Sequence, residues 1–281
     1  MQNLKIHTLG QADVFVDGIP ARWRSESART LFFYLLSHPE GKTRQEIIET
    51  LWETNSNSAS GNRFRVVVYR LRAALGSNET LIQDHCHYRL VQEVREASDA
   101  HQFQSAFERA EHAATAEMRL TGYQHSLGLY KGDYLPRETA DWAREVRAEH
   151  RAMAVRAEIE LSLLHRQRGD CQASVGALAR ALRRDPFIGE NHHQKLMACL
   201  SVVENKYAAI EHYRRFLAFL HDELDDTPMP ETMLLAQRIK AGEEVCMHIV
   251  SKHIVSKLEP PQPPPCLLTS IFRCDHVSVI A

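Results

Sequence analysis

The chain has 281 residues, 34 Lys/Arg against 36 Asp/Glu for a formal charge of −2, 44% apolar and 25% charged side chains. These proportions exclude wholesale disorder and suit two globular domains of roughly 100–200 residues each. The near-neutral total speaks against a uniformly basic nucleic-acid binder, but the distribution is uneven. Residues 1–92 hold eleven Lys/Arg and nine Asp/Glu, and Gly61 to Leu75 contains four arginines and no acid. A local basic stripe matters more to phosphate binding than the whole-chain balance.

In chain order, residues 3–16 alternate apolar and polar side chains as strands do, through Leu4, Ile6, Val14 and Val16. Asp17-Gly18 follows as a hairpin turn, because both central positions need positive φ. From Ser25 the period becomes helical, with Ala28, Leu31, Phe32, Leu35 and Leu36 on one face, until Pro39 and Gly41 stop it. Thr43 and Glu46 have the spacing of a capping box that opens a second helix carrying Ile47, Ile48, Leu51 and Trp52. The polar stretch Thr54 to Gly61 reads as a loop. A third helix then runs from Asn62 to Leu75 and ends at Gly76, a suitable left-handed cap. Leu81-Ile82 and Tyr88 to Val91 form a short hairpin around Asp84 to His87.

Glu93 to Ser98 reads as a charged linker, and everything beyond it as helix. Phe103, Phe107, Ala110 and Ala114 make one apolar face. A long helix from about Ala140 to Arg168 carries Trp142, Val146, Met153, Ala157, Leu161 and Leu164. A weak internal repeat relates Gly169, Cys171, Ala173, Ala177 and Ala181 to Asn205, Tyr207, Ala209, Tyr213 and Leu217 at an offset of 36, near the roughly 34-residue period of TPR helix pairs. The fold class expected is therefore mainly α: a winged helix-turn-helix (α+β) domain over 1–92, and an all-α TPR-like repeat domain over 99–241. Residues 242–281, with the duplicated HIVSK sequence and a proline-rich run, are expected as a poorly ordered tail.

Function is most legible in the third helix. At about 100° per residue, Phe64, Val68, Leu71 and Leu75 share one stripe facing a core, while Asn62, Val66, Tyr69 and Ala73 lie opposite. Arg63 and Arg70 occupy one flank and Arg65 and Arg72 the other. Such a helix suits the major groove of double-stranded DNA: its outer face meets base edges and its flanking arginines reach phosphates. Arg63 or Arg65 can alternatively grip guanine. Arg44, at the start of the second helix, is a further phosphate contact, and Tyr88 and Arg89 on the hairpin are candidates for the adjacent minor groove or backbone.

These features resemble the winged-helix domain of OmpR/PhoB-type effectors in the version found in SARP-type bacterial transcriptional regulators. The resemblance rests on Leu9-Gly10, Val14, Asp17-Gly18, Leu51-Trp52 and Arg70-Leu71-Arg72-Ala73-Ala74-Leu75. Residues 99–240 are similar to the bacterial transcriptional activator domain (BTAD) that follows there, through Ala140-Asp141-Trp142-Ala143, Gly169-Asp170, Asp185-Pro186, Tyr213, Leu217, Glu223-Leu224 and Pro228. The resemblance implies sequence-specific DNA binding, a homodimer on repeated half-sites, and contact with RNA polymerase to activate transcription. It departs at the hairpin, where His87-Tyr88 stands for the family's Gly-Tyr, and in the run Val66-Val67-Val68, so the operator does not transfer. Neither a receiver domain nor a nucleotide-binding module falls within it.

Two other readings compete: a TPR-type protein-interaction scaffold, and a regulator whose helical domain binds a small effector. No phosphate-binding loop, dinucleotide fingerprint or nucleophile elbow occurs, so no enzyme activity and no cofactor are expected. Glu145, Glu149, Glu158 and Glu160 read as solvated partners of helix arginines. His85-Cys86-His87 offers too few ligands on one face, and the six scattered cysteines read as free thiols in a reducing compartment, so no metal is expected either. With no apolar run long enough for a bilayer and no secretory start, a cytoplasmic protein with no membrane partner is expected.

Overall fold

In the computed structural model, which describes residues 3–54 and 57–246, the alternation at the N-terminus becomes a three-stranded antiparallel sheet. Its strands are β1 (Leu4–His7), β2 (Asp13–Val16) and β3 (Ile19–Pro20). Asp17 and Gly18 turn β2 into β3 with φ of 51° and 79°, as a tight hairpin demands. Ser25 caps α1 (Glu26–Leu36). Thr43 and Glu46 form the expected capping box on α2 (Arg44–Trp52), each accepting the other's backbone N–H. The third helix, α3 (Ser58–Leu75), starts four residues earlier than its apolar period indicates, because Asn57 and Ser60 make a polar capping box inside the supposed loop. Gly76 closes it at φ 71°. Strands β5 (Leu81–Asp84) and β6 (His87–Leu90) form the hairpin, and β6 also pairs with a two-residue strand β4 (Lys42–Thr43).

The expected linker is a structured element. Residues Gln92–Glu96 form a short helix, α4, whose Val94 is buried, and Ser98 is buried too. Seven helices follow: α5 (Asp99–Glu111), α6 (Ala116–Leu129), α7 (Asp141–Gln167), α8 (Cys171–Arg184), α9 (Glu190–Val203), α10 (Lys206–Leu224) and α11 (Pro230–Ala241). Each packs on the next, giving a one-dimensional array. The N-caps Asp170 and Asn205 set the repeat offset at 35 rather than 36. In that register buried Ser174, Ala177 and Ala181 match buried Ala209, His212 and Phe216, whereas Tyr207, the 36-offset partner of Cys171, is 75% exposed. The duplicated HIVSK sequence and the proline-rich run lie outside the described residues.

The winged-helix part and the array share one hydrophobic core, running from Ile6 and Leu9 through Phe32 and Leu71 to Phe103, Trp142 and Ala154. Its polar keystone is Asp99, the first residue of α5. The Asp99 carboxylate accepts from the Thr8 N–H (2.7 Å), the Thr8 hydroxyl (2.6 Å) and the Leu9 N–H (3.2 Å). The same loop is held by backbone bonds from Leu135 N–H to Thr8 C=O and from Gly10 N–H to Asp133 C=O. Gly10 has φ 86°, and a Cβ there would lie 3.2 Å from the Lys131 carbonyl, so only glycine fits. Replacing Asp99 by Ala strands three buried donors; we expect a loss of about 2–4 kcal/mol, measurable as a lowered urea midpoint. An unchanged midpoint would remove Asp99 from this role.

Two further buried polar groups tie the array together. Glu158, expected at the surface, is 1% exposed and accepts from Arg180 (2.8 Å) and Arg184 (3.0 Å) of α8, locking α7 to α8. His193 and His212 meet across α9 and α10 with Nδ1···Nε2 at 3.2 Å, and His193 stacks on Phe216. Burial, reinforced for His193 by the neighbouring His212 and His192 and for His212 by Arg215, holds both imidazoles down at about 4. The unfolded chain, with histidine near 6.5, then binds more protons than the folded one between about pH 4 and 6.5. Stability therefore falls as pH drops through that window, by at most about 1.4 kcal/mol per pH unit for each ring. Unfolding midpoints measured from pH 7 to 5 are expected to decline, and to decline less in His212→Gln; an equally steep decline in the variant would exclude the pair as the cause.

Candidate nucleic-acid interface

The α3 surface divides as its sequence period indicates. Phe64, Val67, Val68, Leu71 and Leu75 are buried against α1, α2 and the hairpin. On the outer face Asn62 is exposed, Val66 is 47% exposed and Tyr69 68% exposed. These are two large apolar side chains left in water on a helix whose other face is buried in the core. The hairpin β5–β6 stands beside this helix as a wing, and its tip, His85, Cys86 and His87, is exposed.

The basic residues around that face have different employments. Arg65 donates to Asn62 Oδ1 at 3.0 Å and stays exposed. Arg63 lays its guanidinium 4.4 Å from the centroid of the Trp52 ring, which orients it without neutralising it. Trp52 is thus a platform that a reading of α2 as a core helix does not reveal. Arg70 is half-buried and pairs with no acid among the described residues. Arg44 is exposed at the start of α2, its Nη1 3.8 Å from where a Gly61 Cβ would lie, so it stands over the first turn of α3.

Arg72 departs from the expectation of a free phosphate arm. Its Nη2 donates to the Leu81 carbonyl at 2.9 Å, and its Nε is buried without a protein partner. It therefore fastens α3 to the first strand of the wing. Tyr88 also faces inward, its ring packed edge-on against Phe64 at 4.9 Å. Arg89 lies 3.8 Å from Asp84, a partly exposed pair of small energetic weight. Thr43 is fully engaged as the cap of α2. The face thus comprises Asn62, Val66 and Tyr69 between Arg63 and Arg70 on one side and Arg65 on the other, with Arg44 and the wing tip at its edges. No Asp or Glu interrupts α3.

This arrangement is a winged-helix-like unit set on an all-helical, TPR-like array. The family profile of the bacterial transcriptional activator domain matches residues 98–240. The chain belongs to that family and is a SARP-type bacterial transcriptional regulator. Among solved structures it is similar to EmbR of Mycobacterium tuberculosis, determined in complex with a low-affinity phosphopeptide, with a TM-score of 0.70 and 18% identity over 92% of this chain and 70% of that one. No curated protein matches the sequence. Among the described residues no helix is long and apolar enough to cross a membrane.

The division of labour among the arginines is measurable in the absence of any ligand. Arg72→Ala loses a hydrogen bond to a buried carbonyl and should lower stability by about 1–2 kcal/mol, whereas Arg70→Ala should stay within about 0.5 kcal/mol. Urea unfolding of the two variants side by side checks this. Equal effects would mean that Arg72 has no special hold on the wing.

Proposed function

We propose that the chain binds double-stranded DNA in a sequence-specific manner through α3 and activates transcription. The observation that carries this is the exposed, acid-free outer face of α3, where Val66 and Tyr69 stand in water between arginines that pair with no acid among the described residues. In the major groove Asn62, Val66 and Tyr69 meet base edges: an amide suits adenine, and apolar side chains suit the thymine methyl. Arg63, Arg65 and Arg70 reach phosphates or, near the helix start, guanine. Arg44 takes a phosphate beside the N-terminus of α2. The wing approaches the backbone with its tip, while Tyr88 and Arg72 support it from behind and Arg89 flanks it. Family membership supports the rest of the reading: a homodimer on repeated half-sites, whose helical array touches RNA polymerase.

The test is selection of bound duplexes from a random library with the purified chain at two salt concentrations, its mass in solution measured in parallel. A repeated motif should be enriched. Arg70→Ala should weaken binding to every sequence and reduce the slope of log affinity against log salt by about 0.9. Val66→Ala and Tyr69→Ala should instead change the ranking of sequences, at about 1–3 kcal/mol per lost base contact. Rankings unchanged in both variants would take base readout away from this face, and the absence of any enriched motif would overturn sequence-specific binding.

A further inference from the structure

Away from the DNA-facing surface, three of the chain's six cysteines converge. Cys171 opens α8, Cys199 lies within α9, and Cys246 follows α11; all three are buried, with Val175 and Val203 packed around them. Their sulfurs lie within 4.8 Å of one another, and those of Cys171 and Cys246 are 3.7 Å apart. The separation is well beyond the roughly 2.05 Å of a disulfide, and a disulfide would leave one thiol over. Buried cysteines often serve as small hydrophobes, but that role does not require sulfurs from two helices and the segment beyond a third to meet at one point. An ion at the centre of a triangle with these edges would sit about 2.1–2.8 Å from each sulfur, the span that brackets a metal–thiolate bond of about 2.3 Å.

We propose that Cys171, Cys199 and Cys246 form a three-thiolate site for a soft monovalent metal ion of the copper(I) class. The donor set decides the class. Three sulfurs and, among the described residues, no imidazole or carboxylate completing the group make a wholly soft site, which favours copper(I). Zinc in a structural site takes four ligands. The Ser174 hydroxyl, 3.9 Å from Cys199 Sγ, can turn its proton toward a thiolate and steady it as an outer partner. On binding, three thiols release three protons and three metal–sulfur bonds form, with no change in the oxidation state of sulfur or metal. The bound ion would join α8 and α9 to the segment beyond α11, clamping the far end of the array.

The full chain, reduced and metal-free, is titrated anaerobically with copper(I) held by a competing chelator, and separately with zinc(II). One copper(I) per chain should be retained, with a sulfur-to-copper charge-transfer band and a raised unfolding midpoint. Cys199→Ser and Cys246→Ser should each weaken retention by more than the roughly 10–100-fold that loss of an outer partner causes. Cys86→Ser and the double variant Cys266→Ser/Cys274→Ser should bind as the parent does. Cys246 lies outside any helix, so Cys246→Ser serves as the probe should Cys199→Ser fail to fold. Copper left entirely on the chelator overturns the site. So does copper retained by Cys246→Ser, or tighter binding of zinc that depends on Cys266 and Cys274.

Discussion

The seam on which the placement of α3 depends is gathered on one carboxylate. Asp99 gathers the Thr8 and Leu9 amides and the Thr8 hydroxyl at the junction between the winged-helix part and the helical array. The position is doubly favourable, since an acid in the first turn of α5 also meets the positive end of that helix. Around it the β1–β2 loop threads between two backbone strips, with Ile6 bonded to Ala97 and Gly10 to Asp133. Tyr134 closes the seam from the array side, its hydroxyl 2.8 Å from that of Ser37 at the end of α1. Because a single apolar core fills the space behind, the two parts are not beads on a string. The orientation of α3 relative to α7 is a property of the fold.

That rigidity explains how α3 can leave Val66 and Tyr69 in water at small risk. Its other face contributes five buried side chains to the core, its start is held by a reciprocal cap, and its end by a left-handed glycine. Arg72 then fixes the wing to it. Removing freedom from the groups beside the outer face would lower the entropy lost in the DNA binding proposed for it, the usual benefit of preorganisation. Trp52 does the same for Arg63 by offering a ring on which the guanidinium rests.

Much of this could be read from residues alone, and what could not has a physical reason. The Asp17-Gly18 turn, the Thr43–Glu46 box, the Gly76 cap and the apolar stripe of α3 are local codes, each written within a few residues. Helix α4 has five residues, too few for a period to show, so its charges read as a linker. The first turn of α3 was hidden because Ser60 replaces the usual Glu of a capping box, leaving a polar run that looks like loop. The partners of Arg72, Asp99 and Glu158 could not be read from the residues, since they lie on other elements and no spacing announces them. The cysteine trio is the extreme case: its members meet only through the stacking of α8, α9 and α11.

The crossing of Gly10 over Gly132 has an evolutionary consequence. A Cβ on Gly132 would lie 3.0 Å from the Gly10 Cα, while a Cβ on Gly10 would meet the Lys131 carbonyl at 3.2 Å, so the two segments pass too closely for side chains at either position without a shift. A recombination event that exchanged the N-terminal part for that of another regulator would have to bring a matching loop, a matching residue at 99 and a matching bend at 132. Such joint changes are improbable by shuffling. On the proposed reading of α3, a change of target sequence would fall on its outer face, residues that take no part in this seam.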